Sequence, residues 1–292
     1  MFNPAAGRPR RPRAVQVAEL AAGLARRGWQ VEIAETTASA GAAGAARQGI
    51  ADGVDVLVAC GGDGTVNEVA NQLAAQQQSM AGASKVPALA VAPPWGTANI
   101  FAHALGVPRS PHAAAAWLAQ ARPQARPLGM AETSTGRRFF IALASAGYDA
   151  AVVHALSSEH KRHWGKLAFA WKAATLWRSY FPAPLAYEAD GMPGQADGII
   201  VGLTRYYGGR LRLGAPDPDR GLTLALRGSP RLLPWQGLAL LTTGLEHARG
   251  VARLQPAAIR IITPGVPVEV DGEPAGCTPA SFAIAARLQV LK

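Results

Sequence analysis

The chain has 292 residues, 49% of them hydrophobic, and its 29 Lys and Arg against 19 Asp and Glu give a formal net charge of +10. That much apolar material builds a real core in one large or two modest domains, and it excludes a disordered or low-complexity chain. Cys60 and Cys277 are too few for a disulfide scaffold, and there is neither a secretory h-region nor a charge-free apolar run of roughly 18 residues, so a cytoplasmic protein with at most peripheral membrane contact is expected.

The first half alternates helix and strand signals. After the basic cluster Arg8, Arg10, Arg11 and Arg13, residues 15–27 carry Val17, Leu20 and Leu24 near helical spacing and stop before Gly28. Residues 29–34 alternate and predict a strand, 39–49 a small-residue helix, and 54–59 a continuous apolar strand. A helix follows from 65 or 66 to about 76, then a strand at 88–91, a turn at Pro93 and Pro94, and helices at 100–105 and 112–120. This is an α/β pattern, closed by a proline- and glycine-bearing boundary at 123–135.

The second half reads as short strands, at 138–144, 185–189, 197–204, 222–226, 238–242, 258–262, 266–270 and 281–286, with one helix at 166–178. It predicts a mostly antiparallel, sandwich-like domain. The expected division is 1–128 and 129–292, with the C-terminus able to return to the first domain. His160, Lys161, Arg162, His163 and Lys166, interleaved with Trp164, Trp171 and Trp177, read equally as a solvated face, buried core or an interfacial lip. No helix-turn-helix or RNA-recognition pattern accompanies the charge, so nucleic acid is not an expected partner.

Two loops carry the chemistry. The strand at 54–59 runs through Cys60 into Gly61, Gly62, Asp63, Gly64 and Thr65, and a helix leaves it. Glycines let backbone N–H groups approach an anion, and the helix N-terminus supplies a favourable field. The loop is neither a Walker A sequence nor a dinucleotide fingerprint. Asp63 would repel polyphosphate unless Mg²⁺ or a reacting hydroxyl proton lay between them. Alternatively, Asp63 caps the helix and the glycines make the turn. The strand at 88–91 repeats the logic through Gly96, Thr97 and Asn99.

The run from Gly61 to Val69 and the run from Pro94 to Ala102 together resemble the diacylglycerol kinase catalytic-domain family, which includes bacterial lipid kinases and sphingosine kinases. Asn3, Pro4 and Gly7 resemble its opening loop, Gly147, Asp149 and Ala150 a middle segment, and Asp271, Gly272 and Glu273 a late motif, so the likeness covers nearly the whole chain. The resemblance implies ATP-dependent transfer to a lipid hydroxyl, a diacylglycerol-like acceptor, ATP and Mg²⁺, contact with anionic membrane, and compatibility with a homodimer. It further implies a nucleotide site of Asn3, Gly61, Gly62, Asp63, Gly64, Thr65, Glu68, Gly96, Thr97 and Asn99. Asp271 is the expected base, Glu273 its partner, and Asp63 able to exchange roles with it or to meet the nucleotide's Mg²⁺. Asp217 and Asp219 are the nearest match to the family's paired-acid metal site, although the strand at 222–224 lacks its usual aspartate.

Other departures are Ile100 and His103 where the family often has aspartate and arginine, and the presence of only Met1 and Phe2 before Asn3, so that either the start lies upstream or the sheet lacks most of the strand that positions Asn3. A kinase acting on NAD shares the Gly-Gly-Asp-Gly loop and is the enzymatic alternative. An inactive lipid- or anion-binding module is the other.

Overall fold

A computed structural model describes residues 1–2, 12–36, 40–79, 86–156, 166–176, 184–228 and 232–292. Asn3, Trp164 and the clusters at 8–11 and 160–163 lie outside the described residues. The chain divides into two compact units, Met1–Arg126 with Arg287–Lys292, and Pro127–Ala286.

In the first unit, α1 (Arg13–Ala25) buries Val17, Leu20 and Leu24, one stripe of a helix. It lies close to α5 (Pro111–Gln120), because a Cβ added at Gly23 would come within 2.7 Å of Ala115 Cβ. Ser110 caps α5 by accepting from the Ala113 N–H at 3.1 Å, with proline next in line. α2 (Gly41–Ala51) buries only Ala42 and Ala46, as its small-residue sequence dictates. β1 (Val56–Ala59) and β2 (Ala88–Val91) pair in parallel from Val56 opposite Ala88 to Ala59 opposite Val91, and Val290 joins Leu89 in the same sense. Every residue of β2 is buried, the pattern of a strand covered on both faces. α3 (Asp63–Ser79) and α4 (Ile100–Leu105) leave the carboxyl ends of these two strands.

Residues 29–34, expected as a strand, are not one. Met1 and Phe2 reach in where a ladder would run: Phe2 donates to the Ala34 carbonyl and accepts from Thr36, each at 2.9 Å, and the Met1 carbonyl accepts from Cys60 at 3.0 Å. Pairing with Phe2 is confined to the far end of this segment, at Ala34 to Thr36. A cavity of about 880 Å³ is lined by residues 28–34 on one side and 53–58 on the other, leaving Val31 and Ile33 exposed. A strand exists by its partners, and alternation alone does not supply them.

The second unit is built of antiparallel pairs. β5 (Leu143–Gly147), β8 (Gly198–Gly202), β11 (Leu222–Leu226), β12 (Val251–Leu254), β14 (Pro267–Val270) and β15 (Glu273–Cys277) form one sheet in the order β12, β11, β8, β5, β14, β15. Elsewhere β6 (Leu185–Ala189) pairs with β7 (Met192–Ala196) and with β13 (Ala258–Ile261). β13 pairs in turn with Ala280–Ala283 of β16 (Ala280–Leu291). Leu185, Tyr187, Ile259, Ile261 and Phe282 from this group share one core with Ala144, Ile199, Val201, Val268 and Val270 of the six-stranded sheet. The chain is therefore mixed α/β, with a largely antiparallel β region.

One further expectation fails here for an identifiable reason. Residues 238–242 are not a strand, because residues 233–241 form a helix, Leu233–Leu241, with proline in its first turn and no β-branched residue. Within the boundary segment at 123–135, Pro123–Thr133 is a strand paired with Gly136–Phe140. Gly129 lies beneath the Phe140 ring, where an added Cβ would sit 2.1 Å from the ring edge, so this glycine marks a packing contact. The helix Lys166–Leu176 turns Phe169, Ala173 and Leu176 towards Val152 and Leu156, while Trp171 stays 59% exposed.

Candidate active site

The two glycine loops of the first unit meet backbone to backbone. A Cβ at Gly96 would lie 2.5 Å from Gly62 Cα and 2.9 Å from Asn99 Oδ1, and one at Gly62 would lie 3.3 Å from Gly96 Cα. Asn99 holds the second loop closed: its side chain accepts from the Gly96 N–H and donates to the Gly96 carbonyl, both at 2.6 Å. It does so from a left-handed backbone, φ 52°, a conformation asparagine tolerates better than most residues. Gly61 is required for a different reason, since an added Cβ would strike the buried Thr65 side chain at 2.2 Å.

Asp63 opens α3 and crosses to the second loop, accepting from the Phe101 N–H at 3.2 Å. It thus ties the first turns of α3 and α4 together. Gly64 and Thr97 are exposed beside this join. Glu68 points elsewhere: its Oε2 accepts from Ala42 and Ala43 at 2.6 and 3.2 Å, capping α2, and Gly41 makes room for it with φ 59°. Cys60, immediately before the loop, is buried, and desolvation pushes its thiol up to about 11, so it acts as a small hydrophobe.

Arg13, which reads as one more solvated cation in the sequence, supports the second loop. It is 5% exposed, donates to the Trp95 carbonyl at 3.0 Å and to Gln16 at 3.1 Å, and stacks 4.8 Å from the Trp95 ring centroid. Burial lowers its pKa. Its 82-residue separation from Trp95 left no local signal.

In the second unit, Asp271 and Gly272 form the two-residue turn between β14 and β15, with φ of 49° and 82°, as Asp-Gly hairpin turns require. The Asp271 carboxylate is buried and accepts three backbone N–H groups, from Ile141, Ala142 and Leu143, each at 2.9 Å. Glu273, two residues on, is exposed. The turn is thereby fixed to the chain entering β5, with the Glu273 side chain at the surface.

Beneath that turn is a group of buried acids of which the sequence singled out only Asp149. Asp149, in the helix Tyr148–His154, accepts from Ser145 Oγ at 2.7 Å and from the Tyr207 hydroxyl. Glu269 of β14 is 1% exposed, and its Oε2 accepts from the Gly272 N–H at 2.8 Å. Burial, reinforced by the charge of Asp149, holds the Glu269 carboxyl well above the ordinary glutamate range. Burial raises Asp149 too, against its hydrogen bonds from Tyr207 and Ser145. An inward-facing glutamate on a strand was legible as an exception to alternation, yet its neighbours were not.

Asp217 and Asp219 make a turn. Asp217 Oδ1 accepts from the Asp219 and Arg220 N–H groups at 2.8 and 2.9 Å, and those bonds lower its pKa. Among the described residues no three His, Cys, Asp or Glu side chains gather as a metal cluster. No helix among them is long and apolar enough to cross a membrane.

Residues 1–131 match the family model described as diacylglycerol kinase catalytic domain. A diacylglycerol kinase of Bacillus subtilis (strain 168) is 28% identical over 290 residues, 97% of this chain and 91% of the relative. A probable lipid kinase YegS-like protein of Pseudomonas fluorescens is 30% identical over 253 residues, covering 85% of this chain and 80% of its own length. The crystal structure of a diacylglycerol kinase from Bacillus anthracis superposes with a TM-score of 0.67 at 20% identity, over 99% of this chain and 92% of that one, a likeness of fold. With paired glycine loops, an Asp-Gly-Glu turn and relatives matched along its length, the chain belongs to the diacylglycerol kinase catalytic-domain and YegS-like lipid kinase family.

Proposed function

We propose that the chain is an ATP-dependent lipid kinase, transferring the γ-phosphoryl group to the hydroxyl of a diacylglycerol-like acceptor. The observation that carries this reading is the Gly62–Gly96 approach, which packs two glycine loops backbone to backbone, with no side chain between them, ahead of two helices. The B. subtilis relative supports the acceptor by its name. In this assignment Gly61 to Thr65, Gly96 and Thr97 receive the nucleotide phosphates, with Asn3 in the opening loop. Asn99, Arg13 and Glu68 shape the walls they stand on.

The residues fit a nucleotide better than a resident metal. Mg²⁺ needs only one or two protein carboxylates when it travels with phosphates, and Asp63 is the carboxylate at this loop. Bound so, it would neutralise charge on the transferring group. The acceptor oxygen bonds to phosphorus as the bond to the bridging oxygen of ADP breaks, and the hydroxyl proton passes to a carboxylate. Asp271 and Glu273 supply that carboxyl chemistry: Asp271 orients the turn through its three N–H bonds, and Glu273 is the side chain exposed to an incoming proton. The 1–128 segment would serve the nucleotide and 129–292 the lipid.

Incubation with γ-labelled ATP, a total bacterial lipid extract and NAD in parallel tests the reading. Label in a phospholipid is expected. Labelled NADP without labelled lipid assigns the chain to the nucleotide-kinase alternative, and ATP binding without label in either product assigns it to an inactive binding module.

A further inference from the structure

The helix Leu233–Leu241 carries no charge in its sequence Leu-Pro-Trp-Gln-Gly-Leu-Ala-Leu-Leu, and it turns its larger apolar side chains outward. Trp235 is 63% exposed, Leu238 50% and Leu241 68%, at the spacing of a single helix face. Gln236 and Ala239 face inward instead. This inverts the arrangement of a water-facing helix, whose apolar stripe belongs against the core. A groove of about 420 Å³ follows, lined by Trp235, Leu238 and Arg249 among others.

Exposed cations flank the helix. Arg212 donates to the Thr242 carbonyl at 3.0 Å, placing an exposed cation at the helix C-terminus, and Arg249 and His247 are exposed nearby. The acid in this stretch, Glu246, has a side chain only 8% exposed, held by Arg253 at 2.7 Å and by the Ala215 N–H at 2.9 Å, and lies 3.5 Å from His247 Nε2. An apolar face with tryptophan and a cationic rim is the pattern of a helix lying in a lipid–water interface, where acyl chains take the apolar side chains and anionic headgroups the arginines. A second copy fits less well, because a two-fold contact sets the same patch against itself and brings like charges together.

We infer that Trp235, Leu238 and Leu241 dock the protein on an anionic phospholipid surface, with Arg212 and Arg249 at the headgroups. The surface has its purpose on the lipid-kinase reading, and the two are separable by experiment. Sedimentation with vesicles of phosphatidylcholine, with and without phosphatidylglycerol, is measured without ATP or acceptor. Phosphorylation of a dispersed short-chain diacylglycerol is measured without vesicles.

The double variant Leu238→Ser, Leu241→Ser is expected to lose about tenfold in vesicle binding while its short-chain activity stays unchanged. Arg249→Ala should weaken binding only to the phosphatidylglycerol vesicles. Unchanged binding of the folded double variant overturns the inference, as does a wild-type dimer in sedimentation velocity that the variant abolishes. Should the double variant misfold, Trp235→Phe decides: brominated lipid must quench the wild-type tryptophan emission more than that of the variant, and equal quenching overturns it. Vesicle binding without phosphorylation of any lipid sinks the kinase reading and leaves the docking helix standing.

Discussion

Gly96 and Gly62 come so close that a single methyl group on Gly96 would sit 2.5 Å from Gly62 Cα, with backbone and not a flexible side chain in the way. Gly96→Ala must therefore push two loops apart. We expect a fall in kcat/KM on the order of 10²-fold, as for a catalytic group displaced by about an ångström. Gly62→Ala meets its neighbour at 3.3 Å and should cost less. Steady-state kinetics with varied ATP checks the order; equal effects would remove the steric explanation.

Asp271 and Glu273 should separate stability from turnover. Asp271→Asn places an amide where three backbone N–H groups converge, leaving buried donors unsatisfied at a cost of about 1–3 kcal/mol each. A clear drop in Tm is expected. Glu273→Gln changes an exposed side chain and should leave Tm within about a degree, since surface changes are usually within about 0.5 kcal/mol. If Glu273 accepts the proton, the same variant loses on the order of 10²-fold in kcat.

Glu68 can be tested as a cap. Glu68→Ala removes the acceptor for Ala42 and Ala43 and should cost about 1 kcal/mol in stability, with the KM for ATP little changed. A large rise in KM without loss of stability would instead make Glu68 a direct nucleotide contact.

Glu269 gives the protein a pH-dependent weakness. Folding raises its pKa, so the folded state holds a proton that the unfolded state releases. Stability contributed by the protonated group is present below the ordinary glutamate value of about 4.3 and declines as pH rises towards the raised folded value. Glu269→Gln keeps the neutral shape and should flatten that decline, gaining on the wild type as pH increases. Denaturant midpoints across this range measure it, and parallel curves would show that Glu269 does not titrate in the fold.

What was legible in the sequence followed the range of the interaction. The loop from Gly61 to Thr65 and the turn at Asp271 and Gly272 announce themselves because glycine beside a strand end has few other uses. The strand at 56–59 and the helix after it were plain for the same local reasons. Residues 29–34 alternate correctly, but the ladder that would make them a strand is a property of neighbours distant in sequence. Residues 238–242 were misread because a short apolar run carries no period of its own, and the proline at 234 decided for helix. Arg13 and Glu269 stayed hidden for a related reason: one meets Trp95 and the other feels Asp149, partners that only folding brings near.

The two cysteines fall one to each unit, both as free thiols, Cys60 buried and Cys277 partly accessible. A thiolate, not a thiol, attacks a labelling reagent, and Cys60 combines burial with a pKa of about 11. Its modification therefore waits on an opening of the first unit, so its rate counts those openings. Cys277, partly accessible already, waits on no such opening and serves as the reference for the reagent. The protein carries its own clock and its own standard, and ATP should slow the clock beside the glycine loop.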